Sequence, residues 1–427
     1  QPFKCCRSTA SRNRESARPS WHRSDVPRPK RGIVNAYKSA LNENLQPFRH
    51  GEVRPVELGP IHLETPVVLA PMAGVTDWPF RSLCSGWGAA LYVNQMITAR
   101  ALVEENSTTW KLAEFGANEV TRSIQLYGTD PKYVSLAVQM LKDRLGVDHI
   151  DMNFGCPAPK VTRNGGGAAI PVKRRLLAAI VDAAVEAAGE TPVTIKFRKG
   201  IDQGNLTFLD SGRIAQESGC AAVTLHARTA NDLYSGHADW DAIAELVQHI
   251  DIPVFGNGDI WEPWDALRMM RHTGAAGVEV GRGCLGRPWL FADLVSVLSG
   301  DEPRLTQPTL GLVAEVMLDH LIRLLKFYDE DESVVVRRFR KHAGWYVAGW
   351  PVGKELRRRL HAVNSFDDLA AITQQFDQDA ILPPEGVRVK RSHTGGPRRV
   401  ALPENWLADP NEEVTLASSA EANVSGG

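Results

Sequence analysis

The feature that most constrains this chain is an eightfold alternation that begins at Pro66. Short apolar runs lie at 67–70, 91–94, 123–126, 150–153, 193–197, 222–225, 253–255 and 277–280, with longer stretches between them. In stretches such as 131–145, 173–188 and 264–272, apolar residues recur at three- and four-residue spacing, the period of a helix with one buried face. The short runs are rich in Val and Ile and do not alternate with polar residues, as strands buried on both faces require. Each run ends in glycine-rich or polar sequence. Eight such units predict a closed TIM (β/α)8 barrel in preference to a doubly wound open sheet.

Length leaves room for more than the barrel. With 427 residues, a smaller second domain can follow. Pro303 and Pro308 interrupt the chain after the eighth unit, and helical patterns then recur at 310–327, 333–348, 352–360 and 367–375. The reading divides the chain into a basic, disordered extension over 1–52, a catalytic barrel over 53–305, a helical domain over 306–385 and a disordered tail over 386–427. Beyond Leu402 the tail's Glu, Ser, Ala and Gly offer no packing pattern. The Arg- and Ser-rich stretch 1–31 superficially resembles an organellar transit peptide, but a disordered basic arm is the preferred reading.

Charge is distributed unevenly. The net charge is -1, yet residues 1–50 hold eleven Lys/Arg against three Asp/Glu, and 337–359 hold eight against one. Patches of this kind keep a nucleic-acid partner in play despite the neutral total. The six cysteines, at 5, 6, 84, 156, 220 and 284, form no CxxC pair and no metal or disulfide pattern, which points to a reducing cytoplasm and to no metal. No apolar run approaches the length of a membrane span.

The strand ends carry the chemistry. The first runs into Ala70, Pro71, Met72, Ala73 and Gly74, small residues that let a flat ring approach the backbone. The third ends at Gln125. The fourth carries Asn153 and turns through Gly155, Cys156 and Pro157 into Gly165, Gly166 and Gly167; on composition alone, a buried structural thiol is the favoured reading of Cys156. The fifth places Lys196 and Arg198 on one face. A lysine inside a barrel needs an anion, either a ligand or an internal salt bridge. The sixth ends at His226. The seventh and eighth end in Asn257, Gly258, Asp259 and in Gly281, Arg282, where barrels commonly bind phosphate through bare backbone N–H groups. No Rossmann or P-loop signature occurs. A phosphate site, an internal cation and a lone thiol suit a flavin mononucleotide enzyme, with the lysine stabilising charge on the reduced ring and the thiol donating a proton.

Seven motifs, APMAGVTDWPFR, QLYGTDP, DMNFGCPAPKVTRNGGGAA, TIKFRKG, LHARTANDLYSGHADW, PVFGNGDI and GVEVGRGCLGRPWLF, resemble in order those of the tRNA-dihydrouridine synthases, the bacterial B type above all. RKHAGWYVAGWPVGKELRRRL is similar to that family's C-terminal helical RNA-binding domain. The resemblance implies FMN as cofactor, NADPH as electron donor, and reduction of a D-loop uridine of tRNA at its C5–C6 bond, with no obligate protein partner. It implies Cys156 as the general acid, and Pro71, Met72, Ala73, Gln125, Lys196 and His226 as flavin contacts. Asn257, Gly258, Asp259, Gly281 and Arg282 would form the ribityl-phosphate cradle, and Asn153 and Arg198 would face flavin or uracil. Arg337, Arg340 and Arg358, set among Trp345, Tyr346 and Trp350, would meet tRNA. One departure is Gln95, where the family usually has Glu. The alternatives are a flavin barrel that reduces a free pyrimidine or another activated alkene, and a catalytically lapsed tRNA-binding protein. The basic helical domain speaks against the first, and the retained Cys156 and Lys196 against the second.

Overall fold

Eight parallel strands close on themselves, in chain order, in the computed structural model, which describes residues 31–32, 38–88, 90–117, 119–392, 395–414 and 416. They are β1 (Val67–Leu69), β2 (Leu91–Thr98), β3 (Ser123–Tyr127), β4 (His149–Phe154), β5 (Val193–Arg198), β6 (Ala222–His226), β7 (Val254–Asn257) and β8 (Gly277–Val280). Closure is made by β8 against β1, with Val278 opposite Val67 and Val280 opposite Leu69. The TIM barrel predicted from the alternation is therefore the fold.

The helices form where caps and periodicity agree. The helix Pro131–Leu145 starts on Asp130, whose side chain accepts from the Lys132 amide, has proline in its first turn, and ends on left-handed Gly146. Its Val134, Ala137, Val138 and Leu141 are fully buried, the spacing of a single helix face. Strand β2 carries an irregularity between Val93 and Met96, where its register against β3 shifts. That bulge turns Asn94 toward the fully buried Arg81, whose Nη1 donates to Asn94 Oδ1 at 2.6 Å.

Four helices of seven residues or more follow the barrel among the described residues, α1 (Leu310–Tyr328), α2 (Glu332–Tyr346), α3 (Lys354–Leu360) and α4 (Phe366–Thr373), and a single helical turn at Pro384–Val387 comes after them. They pack around Val313, Met317, Leu321, Val336 and Phe339, in a core that also contains Leu83 and Trp289 of the barrel. Polar contacts cross the same boundary. Tyr328 donates its hydroxyl proton to Asp77 Oδ2 at 2.9 Å, and Arg323 Nη1 donates to Ser82 Oγ at 2.6 Å. The helices thus share a core with the barrel.

Two expectations of disorder do not hold for the described residues, which in the tail leave out 393–394, 415 and 417–427. Within 1–52, residues 31–32 pair antiparallel with 305–306, and 38–52 pack on the barrel, with Asn42 Nδ2 donating to Glu262 and Asp265 and Arg271 bridging to Glu52. Residues 1–30 and 33–37 lie outside the described residues. Within 386–427, the described residues cross the barrel's C-terminal face: Trp406 is buried, its Nε1 donates to Ala169 O at 2.9 Å, and Lys173 Nζ meets Glu412 at 2.6 Å. A single tryptophan with a hydrogen-bond partner, an anchoring ion pair and a few aliphatic contacts hold such a segment without regular structure.

Candidate active site

Strand register brings the predicted residues together. Arg198, His226, Asn257 and Glu279 lie opposite one another in sequence across β5 to β8, and Asn153 is opposite Lys196. These residues form the floor of a cavity of about 660 Å³ at the C-terminal mouth, in the size range of small-molecule sites. Its walls include Pro71, Met72, Ala73, Gln125, Cys156, Gly258, Asp259, Gly281 and Arg282. Every barrel residue expected from the sequence to serve catalysis, flavin or uracil lines this one cavity.

Cys156 follows β4 and Arg282 follows β8, strands diametrically opposed in a closed eight-stranded barrel. On the β4 side, Asn153 Oδ1 accepts from the amides of Gly155 at 3.1 Å and Cys156 at 3.0 Å, which fixes the thiol's loop. Arg198 Nε donates to Gly155 O at 2.9 Å, and its Nη1 donates to the carbonyls of Thr229 and Leu233. Burial pushes the Cys156 thiol up, against the pull of the Ala158 amide, Arg198 and Lys160, so the thiol keeps its proton at neutral pH.

Behind the thiol runs a continuous polar chain. Asn153 Nδ2 donates to Gln125 Oε1 at 2.8 Å, Gln125 Nε2 donates to Asp151 Oδ2 at 2.7 Å, and Thr194 Oγ1 donates to Asp151 Oδ1 at 2.7 Å. His149 bridges Thr194 and Ser123 below. Burial, with Glu279 nearby, raises the Asp151 pKa to about 7. The Gln125 amide is thus engaged at both ends. Lys196 finds its anion inside the barrel: Nζ donates to Asn257 Oδ1 at 3.1 Å and lies 3.5 Å from Glu279 Oε1, an oxygen that accepts no hydrogen bond among the described residues.

The β7–β8 side is strongly basic. Asp259, held in the left-handed region at φ 59°, accepts from Arg228 Nη2 on both oxygens at 2.8 Å and lies 3.8 Å from Arg282. One carboxylate therefore faces two guanidiniums. Burial, reinforced by Arg228, lowers the Arg282 pKa to about 10, still charged at neutral pH. Burial first, then Arg198, Lys196, Arg228 and Arg282, hold His226 well below its usual pKa, so its ring is neutral. Gly258 sits at φ 127°, and a Cβ there would meet Ala238 at 2.7 Å, so the loop presents bare backbone to the cavity.

The helical-domain arginines fare differently. Arg337 is exposed. Arg340 donates to Val363 O and Asn364, and Arg358 pairs with Glu355, so both already have partners within the domain. None of the three lines the cavity. Tyr346 and Trp350 are buried core residues, whereas Lys341 and Trp345 do line it, and Lys341 Nζ donates to Gly74 O at 2.5 Å. Gln95 Oε1 accepts from the Gly74 amide at 2.7 Å, as a carboxylate oxygen would, but its buried Nε2 has no partner among the described residues. Sequence reasoning missed Asp151, Arg228, Glu279 and the tail residues Arg398 and Arg399. Arg228 and Glu279 are polar residues at or beside strand ends, a signal that was there to be read, whereas Asp151 lies in the middle of β4.

The dihydrouridine synthase (Dus) family matches residues 68–381. The chain is 50% identical over 382 residues to a probable tRNA-dihydrouridine synthase of Mycobacterium tuberculosis, covering 87% of this chain and 97% of that protein. It is 38% identical over 322 residues to tRNA-dihydrouridine synthase B of Pseudomonas aeruginosa, covering 75% and 95%. A cavity that sets a protonated thiol opposite a basic, glycine-lined cradle, together with these matches, identifies the chain as a member of the dihydrouridine synthase family.

Proposed function

We propose that this chain is a tRNA-dihydrouridine synthase that uses FMN and NADPH to reduce the C5–C6 double bond of a D-loop uridine. The observation that carries the reading is the opposition across one cavity of a neutral thiol and a cradle with excess positive charge. The residues fit a flavin phosphate. Arg228 and Arg282 outnumber Asp259, and Arg228 Nη1 is buried without a partner among the described residues. Bare backbone at Gly258 and Gly281 borders them. Asp259 orients the two arginines, since a carboxylate repels phosphate. Pro71, Met72 and Ala73 would flank the ring, with Gln125, Lys196 and His226 as its polar neighbours.

Bound there, FMN would supply the hydride that NADPH delivers to the enzyme. The chain's own residues do the remainder. A uridine lifted from its stack enters between the helical domain and the β4 loop; a D-loop base is already exposed and costs less to extrude. Asn153 and Arg198 hold the Cys156 loop and border the pyrimidine. Cys156 gives its proton to C5, a task that needs the thiol neutral, as burial keeps it. Of the arginines expected to meet RNA, Arg337 retains that role in this reading, with Lys341 and Trp345 at the rim.

The test is a strain lacking this protein, with dihydrouridine mapped along its tRNAs, alongside flavin absorbance of the purified protein. Loss of dihydrouridine at a defined position, restored by the gene, is expected. Unchanged tRNA and a flavin-free protein that cannot be reconstituted would overturn the assignment.

A further inference from the structure

The family match ends at residue 381, but the cavity wall does not. Residues 388–392 and 395–412 form a strap around the barrel's rim. It is anchored beside β7 by Arg388, whose Nη1 lies 2.8 Å from both Glu262 and Asp265, two fully buried carboxylates. It next lies on the loop after β6, where the Arg398 amide donates to Asn231 O at 2.7 Å. There a Cβ on Gly396 would meet Asp232 O at 2.3 Å, so only glycine permits the approach. It ends against the loop that carries Cys156. Trp406 packs over Gly165, where a Cβ would lie 2.8 Å from its ring, and the Arg174 amide donates to Pro410 O at 2.9 Å.

The rim is therefore bordered on two sides. The helical domain covers the β8–β1 side, with Trp345 backbone against Gly286 and Lys341 on Gly74. The strap covers the side from β7 round to β4. Between 388 and 399 the strap carries five cations and no acid. Arg388 and Arg391 serve as anchors, Arg391 being buried and donating to the carbonyls of Val389 and Ala348. Arg398 and Arg399 are exposed, line the cavity mouth, and make no side-chain hydrogen bond or ion pair among the described residues. The cradle beneath has its own cations in Arg228 and Arg282, so the pair at the mouth is placed for an anion that arrives from solvent.

We propose that this strap is part of the RNA-binding surface, with Arg398 and Arg399 contacting the phosphodiesters of nucleotides that flank the target uridine. The inference rests on the tRNA reading of the site and extends it to a segment beyond the family match. Two adjacent arginines at the edge of a mouth suit a polyanion that must be held while one base is extruded.

The test is the full chain carrying Arg398→Ala and Arg399→Ala, with Arg398→Lys and Arg399→Lys as the conservative pair. Unmodified tRNA is the ligand, and wild type is measured in parallel. The alanine pair should weaken tRNA binding about tenfold or more and lower the slope of log Kd against log salt by about 1.4, the value for two single-strand phosphate contacts. The lysine pair should recover most of the salt slope. Flavin content and the rate of NADPH oxidation without tRNA should match wild type. Unaltered tRNA affinity and salt slope, with wild type still forming dihydrouridine, overturn the strap's role and leave the activity standing. A raised KM for NADPH with tRNA binding intact also overturns it, by assigning the arginines to the nicotinamide nucleotide. A wild type that makes no dihydrouridine in any tRNA defeats the underlying activity instead, a distinct result.

Discussion

Replacing Asp151 by Asn should make the protein more stable at neutral pH, and the structure sets the size of the gain. Asp151 is buried, faces Glu279, and has a pKa near 7. An unfolded Asp ionises near pH 4. Between those values the folded chain still holds the proton that the unfolded chain has released, so stability falls as pH rises and levels off above about 7. The total cost is about 4 kcal/mol, at about 1.4 kcal/mol for each tenfold change in proton affinity. Asparagine cannot ionise, and its neighbours can accommodate it. Its Oδ1 accepts from Gln125 Nε2, and its Nδ2 donates to Thr194 Oγ1. Thr194 then turns its proton to His149, a ring that burial keeps neutral and that can take the other tautomer toward Ser123. Denaturant unfolding of wild type and Asp151→Asn between pH 5 and pH 8 should show the variant's advantage widening by about 2–3 kcal/mol across that interval. Parallel stability curves would refute the reasoning, because they would mean that Asp151 ionises in the folded state as it does in the unfolded chain.

Three further outcomes are expected. Cys156→Ala should keep flavin and tRNA binding yet lose about 10²–10⁴-fold in single-turnover dihydrouridine formation, and near-normal turnover on unmodified tRNA would remove the thiol's role. Arg282→Ala leaves Arg228 and Asp259 as a neutral pair, so flavin should dissociate more readily, by about 1.5–3 kcal/mol in binding free energy, as read by fluorescence on dilution. Arg388→Ala strips a cation from the buried Glu262 and Asp265, and should lower stability by about 3 kcal/mol while exposing the strap to limited proteolysis; a strap cut no faster than in wild type contradicts its anchoring role.

The barrel was legible because its strands are apolar on both faces and its helices on one, a contrast that survives in one dimension. All eight runs overlap observed strands, the largest difference being β2, which continues to Thr98 through a bulge that polar Asn94 and Gln95 disguise. The cavity residues were legible because they sit at strand ends, where closure alone brings them together. The partners that hold them were harder to see. Asp259 and Arg228 are 31 positions apart on separate loops, and Asp151 meets Gln125 only through strand register. The strap was unreadable for a related reason: its contacts to the barrel span 126 positions from Arg388 to Glu262 and 239 from Glu412 to Lys173, and it has no periodic pattern to announce them. Buried Tyr346 and Trp350 show the converse, since aromatics beside arginines in sequence need not share a surface.

The strap also imposes an order in time. Strand β8, which closes the barrel, is complete at Val280, whereas the rim awaits Arg398, Trp406 and Glu412. At about 5–20 residues per second, synthesis reaches Glu412 on the order of ten seconds after the last barrel strand. The residues of the cradle, Gly258 and Arg282 among them, are therefore all synthesised before any residue of the strap, so the last part of the cavity wall to leave the ribosome is the part that carries Arg398 and Arg399.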